Sequence, residues 1–159
     1  MVRPHPSQAT NKPTTFEHQL VNVRIGHHVI AVATVHRPPS TSKSTFLVEF
    51  TDLFTSLSLQ SGDRLLFCGD MNMPGCNPGT IDDDLLELLD QLSMMKHVGD
   101  TTHYSTACNR ENIQNLIITP TTSNLISAVL VVNSHHLSDH SLIVCELQSV
   151  EQKQLHLRK

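Results

Sequence analysis

Apolar and polar residues alternate over Leu20-Val21-Asn22-Val23-Arg24-Ile25, the period of a strand with one face on a core. Gly26-His27-His28 then predicts a turn, and Val29 to Val35 is nearly continuous aliphatic, the pattern of a strand buried on both faces. His36-Arg37-Pro38-Pro39 ends that run, because successive prolines cannot extend a ladder. From Ser44 to Ser58 the period lengthens. Phe46, Leu47, Phe50, Leu53, Phe54 and Leu57 trace one helical stripe, with Glu49, Asp52 and Ser56 off it. Ser61-Gly62-Asp63 breaks the helix, and Arg64 to Cys68 predicts the next strand. A loop rich in proline, glycine and asparagine leads to Thr80, read as an N-cap. Asp82, Asp83 and Asp84 would then occupy a first helical turn, where the helix dipole favours them without a metal. Leu85, Leu86, Leu88, Leu89 and Leu92 supply that helix's apolar face. Ile113–Thr119, Ile126–Val132 and Ser141–Leu147 predict three more strands. The order is mixed α/β with an antiparallel finish, and no internal repeat is visible.

A chain of 159 residues suits one domain. Residues 1–14 are proline-rich and polar and predict a disordered tail, 15–148 the domain, and 149–159 a polar C-terminal tail. A net charge of −4 leaves no global electrostatic footprint for a polyanion, so binding one requires a local basic patch or a metal. No apolar stretch approaches the roughly 20 residues of a membrane span, and the first residues lack the apolar core of a signal peptide. These features lead us to expect an intracellular protein, cytoplasmic or nuclear, with its four cysteines reduced. Cys68 and Cys145 fall in apolar strands and read as core; Cys76 and Cys108 fall in loops. Among eleven histidines, His135, His136 and His140 lie close together, but no paired cysteines accompany them, which disfavours a structural zinc site.

The candidate chemistry sits at strand ends. Gly69-Asp70-Met71-Asn72 follows one apolar strand, and Ser138-Asp139-His140 precedes another. Two carboxylates, an amide and an imidazole so placed can converge on one pocket mouth, which suits phosphate-ester chemistry. Three further strings join them in order: HRPPS (36–40), TTH (101–103) and NLIITP (115–120). Together with GDMNMPG (69–75) and LSDHSLIVCEL (137–147), they resemble the endonuclease/exonuclease/phosphatase family. More narrowly, they resemble the endonuclease domains of non-LTR (LINE-type) retrotransposons. The resemblance covers about residues 16 to 147, and its specificity lies in five motifs keeping their order.

That resemblance implies a partial four-layer α/β sandwich with mixed sheets and flanking helices. It implies Mg2+ (or Mn2+) as cofactor, held in part by Asp139, and DNA as partner, with no membrane. Asp70 would orient or activate a water, Asn72 would hold a phosphate oxygen, and His140 would stabilise the developing charge or accept a proton. Arg37 would join Asn72 on the substrate side, with Asn115, His36 and His103 as supporting positions. Three departures stand out. The family's early asparagine and metal-holding glutamate have no counterpart, so an N-terminal truncation is expected, and Glu17 resembles a later family element. Asn115 stands where the family has an aspartate that buttresses the histidine. If Asn115 presented an N–H it would favour the wrong imidazole tautomer, and a comparable Asp→Asn change in a serine protease lowers turnover roughly 10⁴-fold. His36 replaces the tyrosine before Arg-Pro-Pro.

The expected function is therefore a retrotransposon-derived, Mg-dependent phosphodiester hydrolase that nicks DNA, degenerate and weakly active or inactive. The alternative is a non-catalytic interaction module that self-associates through a sheet face left uncovered by a missing first half. A phosphatase of small phospho-compounds shares the core residues, but Arg37-Pro38-Pro39 and the short loops favour the retrotransposon branch.

Overall fold

The computed structural model describes residues 2–4, 12–106, 109–133 and 137–148. Its elements are β1 (Val2–Pro4), β2 (Glu17–Ile25), β3 (His28–His36), α1 (Lys43–Ser61), β4 (Leu65–Asp70) and α2 (Asp83–Gln91). Then come β5 (Met94–Lys96), β6 (His103–Ser105), β7 (Arg110–Asn112), β8 (Asn115–Pro120), β9 (Ile126–Val132) and β10 (Leu142–Leu147). One six-stranded sheet has the order β1-β2-β3-β4-β8-β5, and β9–β10 and β6–β7 form two-stranded sheets. Strands β3 and β4 are parallel, as a crossover through α1 requires; the other neighbours in the large sheet are antiparallel.

The helical stripe of α1 does what its spacing predicts. Phe46, Phe50, Leu53 and Leu57 are buried, and Phe50 stacks at 5.2 Å against Phe67 of β4. Ser42 caps the helix, accepting from the Thr45 amide. On α2 the cap is Asp82, whose carboxylate accepts from the Asp84 amide, and not Thr80 as the sequence suggested. Thr80 Oγ1 donates instead to the Asn77 carbonyl, closing the preceding loop. Asp82 and Asp84 also pair with Lys43 at 3.1 and 2.6 Å, which ties the start of α2 to that of α1.

Phe67 faces α1, so Leu66 and Cys68 face the other side of the sheet. There Cys68 lies close enough to Cys145 of β10 to feel its charge, and burial pushes both thiols up. The β9–β10 hairpin thus forms a third layer opposite the helices. It is narrower than the large sheet. Thr34 and His36 of β3 share the Cys68 face and are exposed, so β3 is not covered on both sides as expected. The outer face of the hairpin carries Leu130 and Leu142, 62% and 58% exposed, beside Val132 and Val144. No fourth layer covers it among the described residues.

Part of the expected N-terminal tail is ordered. Val2–Pro4 pairs with Val21–Val23, and Thr14 and Thr15 each give Glu49 of α1 an amide and a hydroxyl hydrogen bond at 2.6–3.0 Å. Burial alone would raise the Glu49 carboxyl, but these bonds outweigh it and bring it down to about 2. Cys108, His135, His136 and the C-terminal tail at 149–159 lie outside the described residues.

Candidate active site

The two sheets meet at the end where β3 and β4 finish. In register, His36 of β3 pairs with Asp70 of β4, and Asp70 pairs with Asn115 of β8. Paired residues project to the same face, so these three form a row along the sheet's edge. Gly69 makes the approach of β3 possible. Its φ of 134° favours glycine, and a Cβ there would overlap the Val35 carbonyl oxygen.

Asp70 then turns the chain. Its Oδ1 accepts from the Asn72 amide at 2.9 Å, an Asx turn that sets Asn72 at φ 49°, where asparagine is tolerated. Arg37 holds the same loop from below. It is 5% exposed and donates from Nη1 to the Asn72 carbonyl at 2.8 Å and from Nη2 to the Thr41 carbonyl at 2.6 Å. Its guanidinium also lies 5.4 Å over the Phe46 ring. The sequence placed Arg37 on the substrate side; its two terminal nitrogens are committed to backbone carbonyls, which makes it a positioning residue for Asn72.

His140 arrives from the other sheet. The strand-end loop before β10 is stapled to the segment leading into β6: Ser141 donates its amide to the Thr102 carbonyl, and the Tyr104 amide donates to the Asp139 carbonyl, both at 2.8 Å. Thr102 is fully buried, and its Oγ1 accepts from the amides of both Gln114 and Asn115 at 3.0 Å. One hydroxyl therefore locks the start of β8 to the His140 loop. Thr102 belongs to the TTH string, yet only its neighbour His103 drew attention from sequence. The signal was present in the Thr-Thr-His spacing but not in any chemistry the hydroxyl could perform.

These constraints bring Asn115 Oδ1 to 3.0 Å from His140 Nδ1. An amide oxygen can only accept, so Nδ1 carries the proton and Nε2 the lone pair. The condition for the wrong tautomer, an N–H from Asn115, is not met in this geometry: the asparagine presents an oxygen to Nδ1, as an aspartate would, and lacks only its charge. His140 and His103 cross at 60° with centroids 4.8 Å apart, and His103 Nε2 lies 3.7 Å from Asp139 Oδ2. Burial and then the nearby His140 lower His103, against the opposing pull of Asp139 and Asp70. Asp70, Asn115, His103, Asp139 and His140 therefore share one neighbourhood, and His36 lies in register beside Asp70.

One ligand atom each from His103, Asp139 and His140 falls within 4.8 Å of the others. Two imidazole nitrogens and one carboxylate do not fit the oxygen octahedron that Mg2+ demands.

Solved structures share this architecture, among them two described by name. The endonuclease domain of TRAS1, a telomere-specific non-LTR retrotransposon, superposes with a TM-score of 0.72 at 19% identity, over 95% of this chain and 70% of that one. A D. rerio TDP2 humanized by 14 mutations gives 0.60 at 12% identity, over 93% and 68% of the respective chains. The fold is of the endonuclease/exonuclease/phosphatase type. No family model matches the sequence, and the comparison with curated proteins found no match. Among the described residues no helix is long and apolar enough to cross a membrane.

Proposed function

We propose that this chain is a phosphodiester hydrolase of the retrotransposon-endonuclease kind that nicks DNA slowly. The reading is carried by one observation: Asp70 ends a strand of the large sheet and His140 lies in the loop before β10, yet they are linked through Asn115, the register partner of one and the 3.0 Å partner of the other. Asp70 accepts the proton of the attacking water, and Asn72 donates its side-chain amide to a phosphate oxygen. In its cationic form His140 donates from Nε2 to the phosphate oxygens as their negative charge develops, with its ring orientation set by Asn115 at Nδ1. Asp139 adds a carboxylate beside both imidazoles.

Slow turnover follows from the missing charge at Asn115. A neutral amide at Asn115 orients the imidazole but cannot stabilise it when it becomes cationic, whereas a carboxylate can. Nicking of supercoiled plasmid, in buffer carrying a divalent cation, tests the proposal. The chain gives slow conversion to the nicked circle, and Asp70→Ala and His140→Ala each remove it. Absence of any conversion, or nicking that survives both changes, counts against it.

A second reading follows from the outer face of the β9–β10 hairpin. Four large apolar side chains in cross-strand register, Leu130 opposite Val144 and Val132 opposite Leu142, suit an interaction module that self-associates. Sedimentation of the chain against a Leu130→Lys/Leu142→Lys variant separates the two readings. A dimer lost in the variant, with no nicking in either, favours the module.

A further inference from the structure

We infer that His103, Asp139 and His140 form a binding site for a borderline transition-metal ion of the Zn2+ class, with a fourth position open to solvent. Their ligand atoms already lie within 4.8 Å of one another. The His103 Nε2 to Asp139 Oδ2 separation of 3.7 Å is too long for a hydrogen bond. It is close to the spacing of about 3.3 Å between two donors bound at about 2.0–2.1 Å to a tetrahedral ion. Reaching that spacing from separations of up to 4.8 Å requires the Asp139 side chain, which is 65% exposed, to swing inward.

The two imidazoles point to the same chemistry. His140 Nδ1 is held by Asn115 Oδ1, the kind of contact that metal-ligating imidazoles make through their other nitrogen, so Nε2 is the ligating atom. His103 turns Nε2 toward Asp139 Oδ2, which makes Nε2 its ligating atom, while its Nδ1 is buried without a hydrogen-bond partner. The rings cross at 60°, which lets both aim at one point instead of stacking. Two imidazoles and one carboxylate with an open position are a set that suits Zn2+, Co2+ or Ni2+ and not Mg2+.

The inference rests on the cluster alone. It stands or falls independently of hydrolysis, because its readout is binding. The full chain is titrated with Co2+, followed by visible d–d absorption, and with Zn2+ by calorimetry. Saturable 1:1 binding is expected, with tetrahedral-type absorption, no sulfur-to-metal charge-transfer band, and no displacement by a large excess of Mg2+. His103→Ala and Asp139→Asn each abolish it; the second alters an exposed side chain and leaves the core untouched. Asn115→Ala weakens it roughly 10–100-fold by releasing the His140 ring. No saturable binding overturns the inference, as does binding unchanged in both ligand variants, which would assign the metal to other histidines or cysteines. Where the hydrolytic reading also holds, bound Zn2+ withdraws His140 and inhibits nicking.

Discussion

Replacing Thr102 by valine removes one oxygen and leaves the shape of the side chain nearly unchanged. That oxygen accepts two backbone amides, from Gln114 and Asn115, in a fully buried position. Valine strands both N–H groups, the Gln114 amide buried and the Asn115 amide half-buried, at about 1–3 kcal/mol each, so about 2–6 kcal/mol of stability is lost. Against a total of about 5–15 kcal/mol, this is a large fraction. Serine at the same position keeps the acceptor and removes one methyl, for about 1 kcal/mol. Urea unfolding of Thr102→Val and Thr102→Ser beside the parent chain measures both. The ordering matters more than either value: valine, the closer match in shape, must be the more damaging. Because the lost bonds also fix Asn115 under His140, the valine variant loses nicking at temperatures where it remains folded. A valine variant as stable as the serine one would refute the claim that this hydroxyl ties the two sheets together.

Outcomes at three other positions follow from the geometry. Asn115→Asp keeps an accepting oxygen at His140 Nδ1 and adds a charge; at an effective dielectric of about 20 the pair is worth at most about 4 kcal/mol, and a third of that realised in the transition state raises the nicking rate about tenfold. Asn115→Ala lowers the rate. Glu49→Gln destabilises the chain at pH 7 by about 1–2 kcal/mol, discounted for a partly exposed side chain. Glu49 is depressed to about 2 in the folded state, so its contribution is full above the unfolded carboxyl's value of about 4.3 and disappears as pH falls through about 2; the parent and Glu49→Gln therefore converge in urea unfolding as pH drops across that window. Gly69→Ala drives a methyl into the Val35 carbonyl at a left-handed φ, and thermal melting should show a loss above about 3 kcal/mol or no folded protein at all.

Long periodic segments were legible because period and length agree. The α1 stripe, the β2–β3 alternation and the aliphatic runs of β9 and β10 fall within two or three residues of their predicted bounds. The three-residue strands β5, β6 and β7 are too short to carry a period, and β1 hides in a proline-rich stretch whose composition argues against pairing. Asp82 displaced Thr80 as the α2 cap because both stand before the same leucine face, and only hydrogen bonding chooses between them. Glu49 sits off the helical stripe and looks solvated; its partners lie 34 and 35 residues away and belong to tertiary structure. At the site, the motifs identified which residues meet but not how. Whether Asn115 offers oxygen or nitrogen to His140 is a rotamer choice that no sequence pattern carries. The buried role of Arg37 likewise depends on where the Asn72 carbonyl ends up after the Asx turn.

The most direct test is a double-mutant cycle on plasmid nicking with Asp70→Ala, His140→Ala and the pair combined. If both side chains serve one phosphate, each single change lowers the rate to the same floor and the double change goes no lower, because groups acting as a unit are not additive. Losses that multiply in the double variant, or a parent rate indifferent to either change, would contradict a shared reaction centre at the junction of the two sheets.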